Sequence, residues 1–548
     1  MRPQGVALLM TAEVRFPSYL APQANRQILC APPWSAVRQE LAGQRDAIVA
    51  STLDILGVPL ADLARDARHA LLAQAQAYTR SYTEVVETPS AAGPLIITGH
   101  QPELVHPGVW LKNFAAGQLA QEVGGIAINL VIDNDLCRSP SLRVPAGTVE
   151  QPRIVDILFD RLQQEVPYEE RTIVDRAQWN SFGDRVTQSL ASLVSEPLIA
   201  QWWPEVVAIS ESTTNLGLAI AQARHGLQQS WGSHSLEIPQ SDICQTAPFH
   251  RFALHLLSHA ARLRRDYNGA LAEYRQVHRL RNAAQPLPDL TEVDGWIETP
   301  FWIWTQENPT RRALFVQPNA EGLQLSDRQQ WQGTLPLSKD GNAESALQQL
   351  AEWQQAGVKL RTRALITTLY ARLLLADTFI HGIGGAKYDQ VTDSLSLRFF
   401  GVALPSFVTL SGTLRLPIDH EGSSPTRLRE LRQKLREVRY HPENFVEALA
   451  FESTEQSQVN FWVEQKKRWI QTAKTTSNAA QRHAQINAAN VALQSWLLPQ
   501  RQRLEQLLAA TIAQTRKNQL LESRDYPFCL FPRDLLQNFL LDFSRFMP

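Results

Sequence analysis

Between Thr98 and Lys112 the chain sets Thr98-Gly-His-Gln101, then His106, then Lys112, so two imidazoles, an amide and an ammonium fall in one short stretch. Histidine is the side chain that titrates near neutral pH, and a lysine can hold a phosphate or carboxylate as a point charge. His100 and His106 are therefore candidate proton carriers. Thr98, Gly99, Gln101 and Lys112 are candidate binding residues, Gly99 because a glycine lets the backbone approach a ligand. Further on, Asp133 and Asp135 stand two residues apart, which on a strand end puts both carboxylates on one face. Such a pair can hold an amine, a ribose hydroxyl or a metal, and it can equally form an Asx turn that caps backbone N–H groups. A third cluster, His381-Gly-Ile-Gly-Gly385-Ala-Lys387-Tyr388, combines Gly382, Gly384 and Gly385 with a histidine, a lysine and a tyrosine. A glycine turn of that kind can wrap an anion, although glycines also end helices.

Two other patterns carry less chemistry. His255-Leu-Leu-Ser-His259 has the i, i+4 spacing of a zinc helix but lacks the glutamate of the HExxH motif, and no metal is expected. Trp296, Phe301, Trp302 and Trp304, followed by Arg311 and Arg312, could line a pocket, but core packing is the expected role.

The elements that must position these residues follow from periodicity. Residues 95–98 are a short apolar run that reads as a strand ending in the Gly-His turn, and residues 109–122 read as the helix after it. Gly124-Gly125 ends that helix. Residues 126–132 read as a second strand, apolar on both faces as parallel strands are, and it runs directly into Asp133. Further strands are predicted at 154–159, 206–209, 314–316 and 403–410, and helices at 248–268 and 343–353. Residues 373–380, ahead of His381, read as helix-like. This alternation predicts an α/β fold with a Rossmann-like open parallel sheet core, in which ligands sit beyond the carboxyl ends of strands and helix N-termini offer N–H groups to anions.

Residues 41–87 have a helical pattern broken at 89–94, so 1–90 is expected to be a helical lead-in packed on a core of 91–420. Past Gly422-Ser-Ser-Pro425 the pattern changes. Leu428, Leu431, Leu435 and Val438 form a narrow seam, residues 456–496 read as a second helical stretch, and Leu504, Leu508 and Ile512 mark a third. Residues 421–520 are thus predicted to be a helical hairpin or coiled-coil arm, which allows a homodimer. The basic side chains at 427–439 are interrupted by Glu430 and Glu437, as on a solvated helix face. The tail, 521–548, is apolar enough to pack back on the chain.

With 53 basic and 54 acidic side chains and a net charge of -1, the protein has no global field that would draw it to nucleic acid or an anionic membrane. Cys30, Cys137, Cys244 and Cys529 are scattered, without a CxxC pair, which points away from a disulfide framework or zinc knuckle and toward a reducing, cytoplasmic setting. The apolar run Val6–Met10 is shorter than a signal-peptide core, and no membrane span is expected.

Taken in order, Thr98-Gly-His-Gln101 with Lys112, Asp133-Asn-Asp135, His381-Gly-Ile-Gly384 with Tyr388, and Phe400-Gly-Val-Ala-Leu-Pro405 resemble the cysteine-adding ligase family of bacillithiol biosynthesis. That family carries a TGQQ turn with a downstream lysine, an EDHD-type strand end, a GPGE…Y turn and an FGVxMP-type strand. The match covers these patches and the general architecture. The chain departs from it where His100 stands for a glutamine, Asn134 for a histidine and Gly385 for a glutamate, and its first loop is about two residues shorter. The resemblance implies a small-molecule enzyme that joins the carboxyl of cysteine to the amine of a glucosamine-malate conjugate. Such a condensation needs carboxyl activation, for which a nucleotide, ATP or ADP, is the expected cofactor. By position it assigns binding roles to Thr98, Gly99, Gln101, Lys112, Gly382, Gly384 and Tyr388 and makes Asp133 and Asp135 the acidic pair. The departures change the acid/base inventory. Two other classes fit the same residues: a non-catalytic nucleotide- or metabolite-binding protein, and an assembly protein built on the helical arm.

Overall fold

The run Leu95-Ile-Ile-Thr is too short and too β-branched for a helix, and it forms the centre of a sheet. The computed structural model describes residues 16–41, 43–85, 93–282, 284–320, 322–337, 343–422 and 425–547. The Val6–Met10 run and most of the break at 89–94 lie outside them. The fold is mixed α/β. Its main sheet contains β1 (Gln27–Ala31), β2 (Leu95–His100), β3 (Ile126–Val131), β4 (Leu236–Pro239), β5 (Thr378–His381) and β6 (Phe407–Thr413). The strand order is β1-β6-β5-β2-β3-β4, parallel except for the antiparallel edge strand β1.

Helices enclose the sheet. Leu95 and Ile97 of β2 and Ile126, Ile128 and Leu130 of β3 share one buried cluster with α1 (Leu60–Arg80) and with Val391, Leu395 and Phe399 of a later helix. The helix that follows β2, α2 (Pro107–Val123), packs on β2, β3 and β6 and adds nothing to that cluster. Gly124 ends α2 at φ 65°, a left-handed conformation that only glycine adopts at no steric cost. The remaining helices that matter here are α3 (Leu216–Ser230) and α4 (Ile383–Phe399).

Several sequence expectations need correction. Residues 206–209 are not a strand but the end of a helix, Ile199–Ile209. There Ile199, Trp202, Trp203 and Val206 recur at helical spacing and are buried, with Trp203 packed on Phe182 at 4.5 Å. Residues 314–316 belong to a second, antiparallel sheet that includes Trp296–Thr305, Arg312–Asn319 and Val358–Thr362, not to the parallel one. Residues 154–159 overlap a strand, Pro152–Leu158, that forms a two-stranded ribbon with Ser141–Gly147. The lead-in is not wholly helical, because β1 joins the main sheet. Finally, the apolar stretch 373–380 splits: a π turn ends at Leu375, Ala376 is extended, and β5 begins at Thr378. The carboxylate of Asp377 fixes that break by accepting from the Leu95 amide at 2.6 Å and from Arg68 at 2.8 Å.

The chain divides into two compact units, one of residues 1–144, 155–416 and 524–548, the other of 145–154 and 417–523. The second holds α5 (Pro425–Tyr440), α6 (Ser453–Gln471), α7 (Ala479–Trp496) and α8 (Leu498–Leu521). The stretch 456–496 is thus two helices. α6 packs on α7 and α5 on α8, around Val438, Val459, Val463, Leu493 and Leu497. Among the described residues no helix is long and apolar enough to cross a membrane.

Candidate active site

From β2 the chain steps through β3 to β4 on one side. It then returns at β5, on the other side of β2, and continues to β6. The strand order therefore reverses between β2 and β5, the position at which open α/β sheets bind ligands beyond their carboxyl ends. The two strands are in register, with Ile380 opposite Thr98, and the Thr98 hydroxyl donates to the Ile380 carbonyl at 3.0 Å. Each then turns into a helix: β2 into α2 and β5, after the single residue Gly382, into α4. Helix α4 has no side-chain cap at Gly382, so the amides of Ile383, Gly384 and Gly385 are orphan donors. At Gly382 and Gly384 a Cβ would meet nothing within 4 Å, so there is open space over this turn.

Lys112 lies in the second turn of α2, buried, with its Nζ donating to the Gly99 carbonyl at 3.0 Å and no carboxylate paired to it among the described residues. Burial and the nearby Arg224 guanidinium lower its amine to about 8. Lys112 is near enough to His381, at the end of β5, to act on its ring electrostatically, and a buried cation of that kind favours an anion.

His381, the last residue of β5, donates from or accepts at Nε2 with Asp389 Oδ2 at 2.7 Å, two helical turns along α4. Its ring stacks on Phe379 at 4.2 Å. Asp389 is itself held by Arg372 at 3.0 Å, and Arg372 also pairs with Asp393 at 2.8 Å. Burial alone would raise the Asp389 carboxyl, but Arg372 and His381 outweigh it and hold it well below the carboxylate range. An ionised Asp389 must accept, so Nε2 carries the proton and Nδ1 is left with a lone pair and no partner among the described residues. A Cβ at position 385 would come within 2.7 Å of that Nδ1, which is why a residue without one stands there.

The first turn is divided between frame and crevice. His100 is buried, with Nδ1 3.1 Å from the Gln101 carbonyl and Nε2 3.1 Å from the Asn113 side chain. Both ring nitrogens are engaged, and burial lowers its pKa well below the ordinary histidine value, so it braces the turn rather than shuttling protons. His106 caps α2 by accepting from the Gly108 amide at Nδ1, 3.1 Å away, so its proton sits on Nε2, which has no partner among the described residues. Burial and Arg524 lower it to about 4, leaving a neutral N–H donor. Gln101 donates to Asp135 at 3.0 Å, and Arg311 also donates to Asp135 at 3.0 Å. Burial would raise Asp135, yet these two donors hold it below the usual range. Its neighbour Asp133 is buried and accepts from the Ser241 amide at 2.9 Å and the Ser241 hydroxyl, the capping role that the strand-end pair allowed. The two carboxylates thus part company, Asp133 inside the frame and Asp135 on its edge.

No protein-family model matches the chain, and no curated protein matches it. The site therefore stands on its geometry. Lys387 is exposed, and Tyr388 packs against the main core cluster. His255 and His259 stack on each other at 4.6 Å, and the described residues contain no group of three or more potential metal ligands. Trp302 belongs to the second sheet, and the guanidinium carbons of Arg311, which pairs with Asp135, and of Arg363 lie 4.5 and 4.2 Å from its ring centre. A cavity of about 850 Å³ lies elsewhere, lined by the C-terminal half of α2, the start of β4 and residues 540–545, and it holds none of these side chains. Sequence reasoning missed Asp389, Arg372 and Arg224 as parts of the site. Only Asp389 had a signal, since it lies eight residues past His381, a spacing that becomes contact once a helix starts directly after the strand.

Proposed function

We propose that the chain is an ATP-dependent ligase that joins the carboxyl of an amino acid to the amine of a small sugar conjugate, the reaction that its resemblance to the cysteine-adding ligases implies. The observation that carries this reading is the buried Lys112 ammonium on the helix that follows β2, with the uncapped amides of α4 following β5, the adjacent parallel strand. In this reading the main sheet is a Rossmann-like core, and α5–α8 form the helical arm through which two copies pair. The four free thiols are in keeping with a reducing, cytoplasmic setting.

The residues fit a phosphate. Among the described residues Lys112 lacks a carboxylate partner and three amides lack acceptors, and the glycine turn leaves open space around Gly382 and Gly384. His106 Nε2 adds a neutral donor. When bound, ATP supplies the phosphoric anhydride that makes a carboxyl electrophilic. Asp135, ionised and 42% exposed, has the charge and access to orient an amine as its ammonium, while Arg311 fixes it from behind. Lys112 and the α4 amides would hold the phosphate oxygens, where negative charge accumulates as the carboxyl is activated.

Thermal stability against ATP and ADP tests the reading, because a ligand that binds only the folded state raises the midpoint, by about 2.7 kcal/mol of stability at a hundredfold excess over Kd. The expected result is a rise with ATP that disappears in Lys112→Met, together with amide formation from cysteine and a sugar amine detected by mass spectrometry. A shift without amide supports the non-catalytic binding protein. No shift with either nucleotide refutes the nucleotide site.

A further inference from the structure

We infer that His381 is the general base of this site, taking a proton at Nδ1 from the attacking amine, and that Asp389 and Arg372 are its positioning residues. The inference rests on the ligase reading above but uses atoms that reading leaves idle.

Three features of the geometry carry it. The Asp389 carboxylate accepts from Nε2, 2.7 Å away, which fixes the tautomer and leaves the basic nitrogen facing Gly385. Phe379 stacked at 4.2 Å and Phe407 edge-on at 5.6 Å hold the ring plane, so the lone pair has one direction. That direction is over Gly385, the one place in the first turn of α4 where a side chain would cover it. A histidine kept only for packing would need neither an ionised, arginine-clamped carboxylate nor a side-chain-free position against its second nitrogen.

The charged groups around the ring are Asp389 and, through it, Arg372 with Asp393 on the inner side, and Lys112 on α2. Burial and the two cations favour neutral imidazole at rest, and Asp389 favours the imidazolium once it forms. That balance suits a base that must be free before the reaction and charged during it.

The amine nitrogen forms a bond to the activated acyl carbon, and the acyl carbon–oxygen bond to phosphate breaks with its electron pair leaving on the phosphate oxygen. An amine held at Asp135 as its ammonium gives one proton to solvent before it attacks, and the second proton, lost from nitrogen as the amide forms, goes to His381 Nδ1 and from there to solvent. ATP is the co-reactant that supplies the phosphate.

Long-range proton–nitrogen NMR on the full chain with labelled histidines, assigned with His381→Gln, reads the tautomer without any substrate. Nδ1 is expected to be unprotonated, and an Nδ1–H tautomer overturns the inference. The catalytic arm measures amide formation from cysteine and glucosamine with ATP. His381→Gln should lower the rate about 10²- to 10⁴-fold while keeping the thermal shift with ATP. Gly385→Ala, whose methyl would press on Nδ1 from 2.7 Å and so must displace the ring or the helix turn, should do the same. Asp389→Asn should lower kcat with little change in the KM for ATP and shift the acid limb of the pH profile. Full turnover by His381→Gln with the ATP shift intact overturns the base alone. Loss of the ATP shift in the unsubstituted protein overturns the ligase reading and the base with it.

Discussion

Lys112 and Asp133 lie close in sequence and are both buried, yet pH acts on them in opposite directions. Lys112 is lowered to about 8 by burial and Arg224. An anion needs its ammonium form, so the thermal shift produced by ATP should be large near about pH 7 and shrink as the pH rises through about 8 and beyond. The bound phosphate itself will move that midpoint upward. A shift that is unchanged at about pH 9.5 would count against Lys112 as the anchor. Asp133 is raised from 3.8 to about 8 by burial and the Glu169 carboxylate, against the two donors on Ser241. In acid both the folded and unfolded chains keep its proton. As pH climbs from about 4 to about 8 the unfolded chain gives the proton up more readily, so this group subtracts stability, and above about 8 the loss is constant. Asp133→Asn can still accept from the Ser241 amide and donate to its hydroxyl. Denaturation midpoints across that window should therefore fall in the parent protein and lie flatter in the variant.

Helix α4 embodies a trade between stability and binding. Its N-cap, Gly382, leaves three amides unsatisfied where Ser, Thr, Asp or Asn would cap one. Gly382 has an ordinary φ of -75° and open space around its would-be Cβ, so Asp fits without strain. Gly382→Asp is expected to raise stability by a few tenths of a kcal/mol, roughly what a carboxylate cap adds over glycine, while its own charge expels the anion and abolishes the ATP shift. Denaturant titration and the nucleotide shift, measured on the same sample, separate the two effects. Capping that raised stability and left the shift untouched would move the anion site away from α4.

At the scale of the whole chain, the polypeptide leaves the sheet-bearing unit at Leu416 and re-enters it at Arg524. The returning segment is built into that unit. Phe528 is fully buried between Trp110 at 4.6 Å and Trp202 at 4.9 Å, and its amide donates to the Val105 carbonyl at 2.8 Å, inside the β2–α2 loop. Phe528→Ala should cost about 3–5 kcal/mol, the usual range for emptying an aromatic site in a core. Because the same residue braces the loop carrying His106, the ATP shift should weaken in proportion more than the midpoint alone predicts. Urea unfolding monitored by tryptophan fluorescence checks the first number directly.

What the sequence determined by itself was local. The apolar runs at 95–98 and 126–132 had no alternative to strands, and β2 and β3 span Leu95–His100 and Ile126–Val131. Gly124 fixed the end of α2, and the turn after β2 with Lys112 behind it could be named as a site before any fold existed, because glycine and a strand–helix boundary have local causes. Three matters were decided only by tertiary contact. The apolar stretch 373–380 carries no periodic break, and β5 exists because Asp377 binds the Leu95 amide and Arg68 from other parts of the chain. The equivalent-looking Asp133 and Asp135 were separated by their partners, Ser241 for one and Gln101 with Arg311 for the other. The two histidines of greatest interest also changed places: His100 is consumed by its neighbours on both nitrogens, while His381 keeps one nitrogen open, and no spacing rule reports which lone pair a fold leaves unused.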